Sequence, residues 1–254
     1  MSALPLSDGS ARWFTPPSGQ RPLLWCLPYA GGGASIFRAW ERALAPWVEV
    51  RPVFLPGREA RFGEPAVEDL ASLADTLCQL TRPWAHLPQA WFGHSMGAAL
   101  AYETVLRVQR EPGRQPPRLL AVGGRAAPGL GRLKPPLHAL PDAEFMAQLS
   151  RLGGTPQAVL DDAELMELLL PLLRADFKAI ETWQASRGPL LHTDVLVLGG
   201  EDDPETTPER MAAWQQVCDP ARLALQRLPG GHFFIHGSQD QVLAALGRQL
   251  QQSL

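Results

Sequence analysis

Gly93-His94-Ser95-Met96-Gly97 sets a serine between glycines two positions to either side. A serine hydroxyl attacks a carbonyl carbon only when a base takes its proton. It must also stand clear of the backbone, and the G-x-S-x-G spacing meets that need. A sharp turn between a strand end and a helix start exposes the hydroxyl, small flanking residues relieve the crowding, and the helix N-terminus faces the charge that develops. The flanks fit this reading rather than a purely structural glycine turn: Ala90 to Gly93 reads as a short strand and Ala98 to Val108 as a helix.

Six histidines are available as the base: His86, His94, His138, His192, His232 and His236. His232 has the right setting, after an apolar strand at Leu223 to Leu228 and behind Pro229-Gly230-Gly231, which lets the loop fold back towards the strand ends. His94 adjoins the serine, but neighbouring side chains on a sharp turn diverge, so it is expected to pack or hydrogen-bond elsewhere. His232 and His236 form an H-x-x-x-H pair, yet Phe233-Phe234-Ile235 fill the gap and no HExxH glutamate or third ligand follows, so no metal is expected. A carboxylate must orient the imidazole, and Gly199-Gly200-Glu201-Asp202-Asp203-Pro204 supplies two, Asp202 and Asp203, between which the spacing does not choose. Two backbone donors are needed for the oxyanion. One is the N–H of Met96, and the other lies in the loop Pro28-Tyr29-Ala30-Gly31-Gly32-Gly33, at Ala30. The glycine run lacks both G-x-G-x-x-G spacing and a P-loop lysine, which makes nucleotide binding the weaker reading.

These groups need elements to hold them. Apolar runs at Leu23 to Leu27, Val48 to Leu55, Arg118 to Gly123 and Val195 to Leu198 read as further strands. They alternate with helical patterns at Ser35 to Leu44, Val67 to Thr81, Thr207 to Val217 and Asp240 to Leu250. Such alternation predicts an α/β fold with a mostly parallel central sheet covered by helices on both faces. One segment, about 138–185, breaks the pattern. It has no strand signal, a helix start at Pro141-Asp142-Ala143-Glu144, and a leucine series at Leu165, Leu168, Leu169, Leu172 and Leu173. It reads as a helical lid inserted over the strand ends in a single domain, or as a helical layer that completes the core. The first 20 or so residues read as a mobile arm or an edge element.

The 254 residues carry a net charge of −3 and no basic stripe, which argues against a nucleic-acid partner. Three cysteines, Cys26, Cys78 and Cys218, form no CxxC pair and point to a reducing compartment. No signal-peptide pattern is visible and no apolar run reaches ~18 residues, so no membrane partner and a cytoplasmic location are expected.

Taken together, five segments in order resemble the type II thioesterases that stand beside non-ribosomal peptide and polyketide synthases, a group of the α/β-hydrolase superfamily. They are Pro28-Tyr29-Ala30-Gly31-Gly32, Leu55-Pro56-Gly57-Arg58-Glu59, Gly93-His94-Ser95-Met96-Gly97, Asp203-Pro204 and Gly230-Gly231-His232-Phe233-Phe234. The lid segment is similar too, at Leu140-Pro141-Asp142-Ala143-Glu144-Phe145, Leu152-Gly153-Gly154-Thr155-Pro156 and Leu173-Arg174-Ala175-Asp176-Phe177. The resemblance implies hydrolysis of acyl or aminoacyl groups from the phosphopantetheine arm of acyl- or peptidyl-carrier domains, clearing stalled or misprimed synthases. It favours Asp203 over Asp202, because the family's acid directly precedes the proline. It implies no cofactor of the enzyme's own, and a monomer is the plain expectation. The chain shows no fused carrier domain, which favours hydrolysis over cyclisation or acyl transfer. One departure is Gly123-Gly124, where relatives often carry serine before the glycine. The rivals are a general soluble carboxylesterase or acyl-CoA thioesterase, and a carrier-binding module without catalysis.

Overall fold

The computed structural model describes residues 9–254. Six strands form one sheet: β1 (Leu23–Leu27), β2 (Glu49–Pro52), β3 (Gln89–His94), β4 (Leu119–Gly123), β5 (Asp194–Gly200) and β6 (Leu223–Leu228). Their order is β2-β1-β3-β4-β5-β6, with every pairing parallel. β1, β3 and β4 are buried along their whole length, as strands covered on both faces must be.

Alternate side chains feed two cores. Leu23, Trp25 and Leu27 join Trp91, Leu120 and Val122 on one face, under α2 (Leu70–Leu80) and α3 (Met96–Arg110). Leu24 and Cys26 join Phe92, Ala121 and Leu196 on the other, under α1 (Trp40–Leu44) and α8 (Gln239–Ser253). The chain leaves β1 for β2 on one side and returns to β3 on the other. The order therefore reverses between β1 and β3, which is where open parallel sheets leave a crevice at their carboxyl ends. The Ala30 loop follows β1 and the Ser95 turn follows β3, so both sites open onto that crevice.

Several elements differ from their sequence reading. Ser35 to Leu44 splits into a 3-10 turn at Ala34–Phe37 and α1. Thr207 to Val217 splits into α7 (Pro208–Ala212) and a 3-10 turn at Ala213–Gln216. The second strand stops at Pro52 because the chain changes partner. Val53 N–H still donates to Cys26 O, but Phe54 N–H turns to Trp13 O. That bond also corrects the reading of the first residues, of which 1–8 lie outside the described part. From Gly9 onward they are no loose arm: Phe14 is fully buried against Trp25 and Trp84, and the Arg61 guanidinium lies over the Trp13 ring.

Between β4 and β5 run α4 (Asp142–Leu152), α5 (Gln157–Leu160) and α6 (Ala163–Thr182). Asp162 caps α6 by accepting from Leu165 N–H. Helix α6, which carries the leucine series, serves two cores, one at each end. Its first half packs with α4 into a separate small core of Phe145, Leu149, Met166 and Leu173, while Ala179 and Ile180 enter the main core. Leu168 faces solvent, outside the expected apolar stripe. The segment is tied shut at its base, where the Glu181 carboxylate accepts from Leu137 N–H, His138 N–H and His138 Nδ1.

Candidate active site

Ser95 is held at φ 53° and ψ −109°, a left-handed conformation that few side chains adopt. The glycines make it possible. A Cβ on Gly93 would come within 2.0 Å of Gly97 O, and one on Gly97 within 2.2 Å of Leu27 O. The turn is fastened by Ser95 N–H donating to Gly123 O at 2.8 Å. Strain of this kind is stored where surrounding structure over-determines it, and it projects the hydroxyl out of the helix start.

His232 Nε2 lies 2.9 Å from Ser95 Oγ, and its Nδ1 lies 2.8 Å from Asp203 Oδ2. Gly200 allows this convergence, since a side chain there would strike the carbonyls of Gly230 and Gly231 ahead of the histidine. Asp203 is 3% exposed, and its other oxygen accepts from Glu205 N–H. Burial alone would raise its pKa, but the hydrogen bond and positive charge offered by His232, with the Glu205 N–H, outweigh it and hold the carboxyl below the ordinary range. Asp202, the alternative that spacing left open, is exposed to solvent. The N–H groups of Ala30 and Met96 sit at a turn and a helix start, and neither donates to an acceptor within the described residues. Both are therefore available to a ligand.

His94 points beneath the site, as the divergence at a sharp turn predicts. Fully buried, it sets Nε2 2.8 Å from the His232 carbonyl oxygen, and that contact fixes the backbone that carries the base. Its Nδ1 faces Gly123, where a Cβ would approach to 2.8 Å. The Gly123 departure thus falls on the underside of His94. Burial foremost, with the neighbouring His232, lowers the His94 pKa from 6.5 to about 3. The unfolded chain therefore binds a proton that the folded one refuses across this window. The contribution to stability is complete above 6.5 and falls away as pH drops towards 3. Urea unfolding at pH 7 and pH 5 should show a lower midpoint at pH 5. His94→Gln, which keeps a donor for the His232 carbonyl, should shrink that difference.

The paired histidines part company: His236 Nε2 meets Tyr29 Oη at 2.8 Å while His232 turns to Ser95 and Asp203. Cys26 is buried, and burial, then Glu41, holds its thiol well above the usual value.

A family model described as a thioesterase domain matches residues 22–250. The chain belongs to that family. It is a thioester hydrolase by kinship and carries the family's α/β-hydrolase architecture. It is 35% identical to gramicidin S biosynthesis protein GrsT of Aneurinibacillus migulanus, an alignment covering 90% of this chain and 88% of the relative. Thioesterase PikA5 of Streptomyces venezuelae is 37% identical over 95% of this chain and 86% of its own. Among solved structures, the type II thioesterase BorB of the borrelidin biosynthetic cluster superposes with a TM-score of 0.83 at 38% identity, covering 94% of this chain and 97% of that one.

This thioesterase also holds a group that sequence reasoning quoted but gave no role. Arg58 Nη1 and Nη2 grip Asp176 of α6 at 2.7 and 2.8 Å, and Nη1 donates to Gly32 O at 3.1 Å. Asp176 Oδ2 also accepts from Gly31 N–H at 2.7 Å. The next residue, Glu59, adopts φ 48° and accepts from the N–H groups of Ala34 and Ser35. The one signal in the sequence was a charged pair after Pro56-Gly57. Its partner lies 118 residues further on, a separation that no local pattern bridges. Among the described residues, no helix of the thioesterase is long and apolar enough to cross a membrane.

Proposed function

We propose that this thioesterase hydrolyses acyl and aminoacyl thioesters on the phosphopantetheine arm of carrier domains, releasing stalled or misprimed groups from a synthase. The observation that carries the chemistry is the unbroken row Ser95–His232–Asp203. His232 takes the Ser95 proton as Oγ attacks the thioester carbonyl, and the N–H groups of Ala30 and Met96 receive the oxyanion. The tetrahedral intermediate collapses, the C–S bond breaks, and the pantetheine thiol leaves with the proton from His232. Water, deprotonated by His232, then attacks the acyl-enzyme, and the acid departs as Ser95 regains its proton. Asp203 stays ionised and stabilises the imidazolium formed in each half. No metal or organic cofactor takes part, since the phosphopantetheine arrives on the substrate.

The α4–α6 segment acts as the lid. In support, Leu173 packs so closely on Gly31 that a Cβ there would meet it at 2.5 Å, and Gly154 lies against the Phe233 ring, where a Cβ would meet it at 2.2 Å. The lid thus touches the residue after Ala30 and the residue after His232. The carrier as partner is supported by similar proteins in gramicidin S biosynthesis and in the colibactin NRPS/PKS pathway.

The test is hydrolysis of an acetyl- or aminoacyl-loaded carrier protein, followed by intact mass, against the matching acyl-CoA and a p-nitrophenyl ester. The carrier should be stripped fastest. A carrier that stays loaded while the oxyester turns over would make the enzyme a general esterase with the same triad.

A further inference from the structure

Resting on the reading of Ser95 as nucleophile and Ala30 as oxyanion donor, we infer that Arg58 and Asp176 are positioning residues: they set the Ala30 N–H and make oxyanion stabilisation depend on how lid helix α6 is seated. Ala30 occupies a tight turn closed by Gly32 N–H donating to Tyr29 O at 2.9 Å, with Gly31 at φ 77°. The backbone just beyond Ala30 is then held by side chains from three residues. Asp176 holds the Gly31 N–H, Arg58 the Gly32 carbonyl, and Glu59 the Ala34 and Ser35 N–H groups. The Ala30 N–H has no such hold and is free to meet a ligand.

One of these holds comes from the lid. Asp176 belongs to α6, and one turn earlier the same helix presents Leu173 to the Gly31 backbone. With α6 properly seated, the carboxylate fixes the turn; with α6 displaced, Gly31 loses its acceptor, and the turn whose Gly32 N–H holds Tyr29 O, and with it the Tyr29–Ala30 peptide that carries the donor, loses that anchor. Stability does not account for such a pair, because buried ion pairs are often no more stabilising than apolar residues of like volume. What the pair supplies that an apolar pair would not is an acceptor for Gly31 and a donor for Gly32. Oxyanion donors act through position, and displacement of ~1 Å costs up to about 100-fold in rate.

Two double variants separate position from stability. Arg58→Met with Asp176→Leu removes both charges and the Gly31 acceptor; Arg58→Met with Asp176→Asn removes the charges but keeps an acceptor for Gly31. Each is compared with wild type for kcat and KM on one acyl thioester, affinity for an alkylboronic acid that mimics the tetrahedral intermediate, and urea midpoint. The Leu variant should lose about 10- to 100-fold in kcat with KM unchanged and weaken boronate binding in step, and the Asn variant should recover most of both. Equal kinetics in the two variants, or a change confined to KM, would overturn the proposal. Should either double variant fail to fold, Arg58→Lys serves: it keeps the charge but cannot hold Asp176 and Gly32 together, and the same split between kcat and KM decides. Fluorophosphonate labelling distinguishes the two layers. Wild type that does not label at Ser95 overturns the nucleophile, whereas doubles that label and turn over normally overturn the clamp alone.

Discussion

Ser95→Ala should lower turnover on an acyl thioester by a factor on the order of 10⁴ to 10⁶ while leaving the urea midpoint close to wild type. The substitution removes a hydroxyl and nothing that supports the turn. The left-handed backbone at Ser95 is fastened by its own N–H to Gly123 O and by the close fit of Gly93 and Gly97 against neighbouring carbonyls, none of which the side chain touches. Without Oγ no acyl-enzyme forms, and the oxyanion donors and binding contacts are left to assist only direct attack by water. The check is steady-state kinetics alongside intact mass of the enzyme after a short incubation with substrate. Wild type should show an acylated fraction and the variant none. Turnover within a factor of ten of wild type would remove Ser95 as nucleophile.

The second large effect falls on the acid. Asp203→Asn should cut kcat by about 10⁴-fold, whereas Asp202→Asn should leave it near wild type. Asp203 Oδ2 accepts from His232 Nδ1, which places the imidazole proton there and leaves Nε2 free to take the Ser95 proton. An amide at 203 can present its NH₂ to Nδ1 instead, turning the ring to the tautomer whose Nε2 is already protonated, and it offers no charge to the imidazolium. Asp202 faces solvent and donates its backbone N–H to Gly230 O, a bond the side-chain change leaves alone. Kinetics of the two variants across pH 6 to 9 provide the check. If Asp202→Asn proves the more damaging, the acid is misassigned.

How much of this was legible beforehand follows the range of the interactions. The nucleophile turn is a local device: strand, glycine, serine, glycine and helix are adjacent, so Gly93 to Gly97 declared it in five residues. The strands were legible for a similar reason, since a strand buried on both faces must be apolar throughout. Where partners were non-local, the reading slipped. Val53 to Leu55 reads as strand from its composition, yet Phe54 pairs with Trp13, whose own segment reads as a mobile arm or an edge element. The segment expected as a helix from Ser35 starts a residue earlier, where Glu59 from another loop accepts from the Ala34 and Ser35 N–H groups. The leucines of α6 were visible, but not that one end of the helix serves a separate core and the other the main one.

By itself the sequence presented the parts: a serine between glycines, a histidine behind two glycines, carboxylates after the fifth strand, and a parallel sheet to carry them. Spacing left Asp202 and Asp203 open and the resemblance favoured Asp203; the tertiary structure shows the physical difference, since the chain turns Asp203 to His232 and Asp202 to solvent. It gave His94, expected to diverge from Ser95, its partner in the His232 carbonyl, and it alone joined Arg58 to Asp176 and both to the turn at Gly31. Spacing along the chain encodes contacts within a turn, a strand or a helix. The contacts that aim the oxyanion loop cross 118 and 145 residues of chain and exist only once the sheet and α6 have packed.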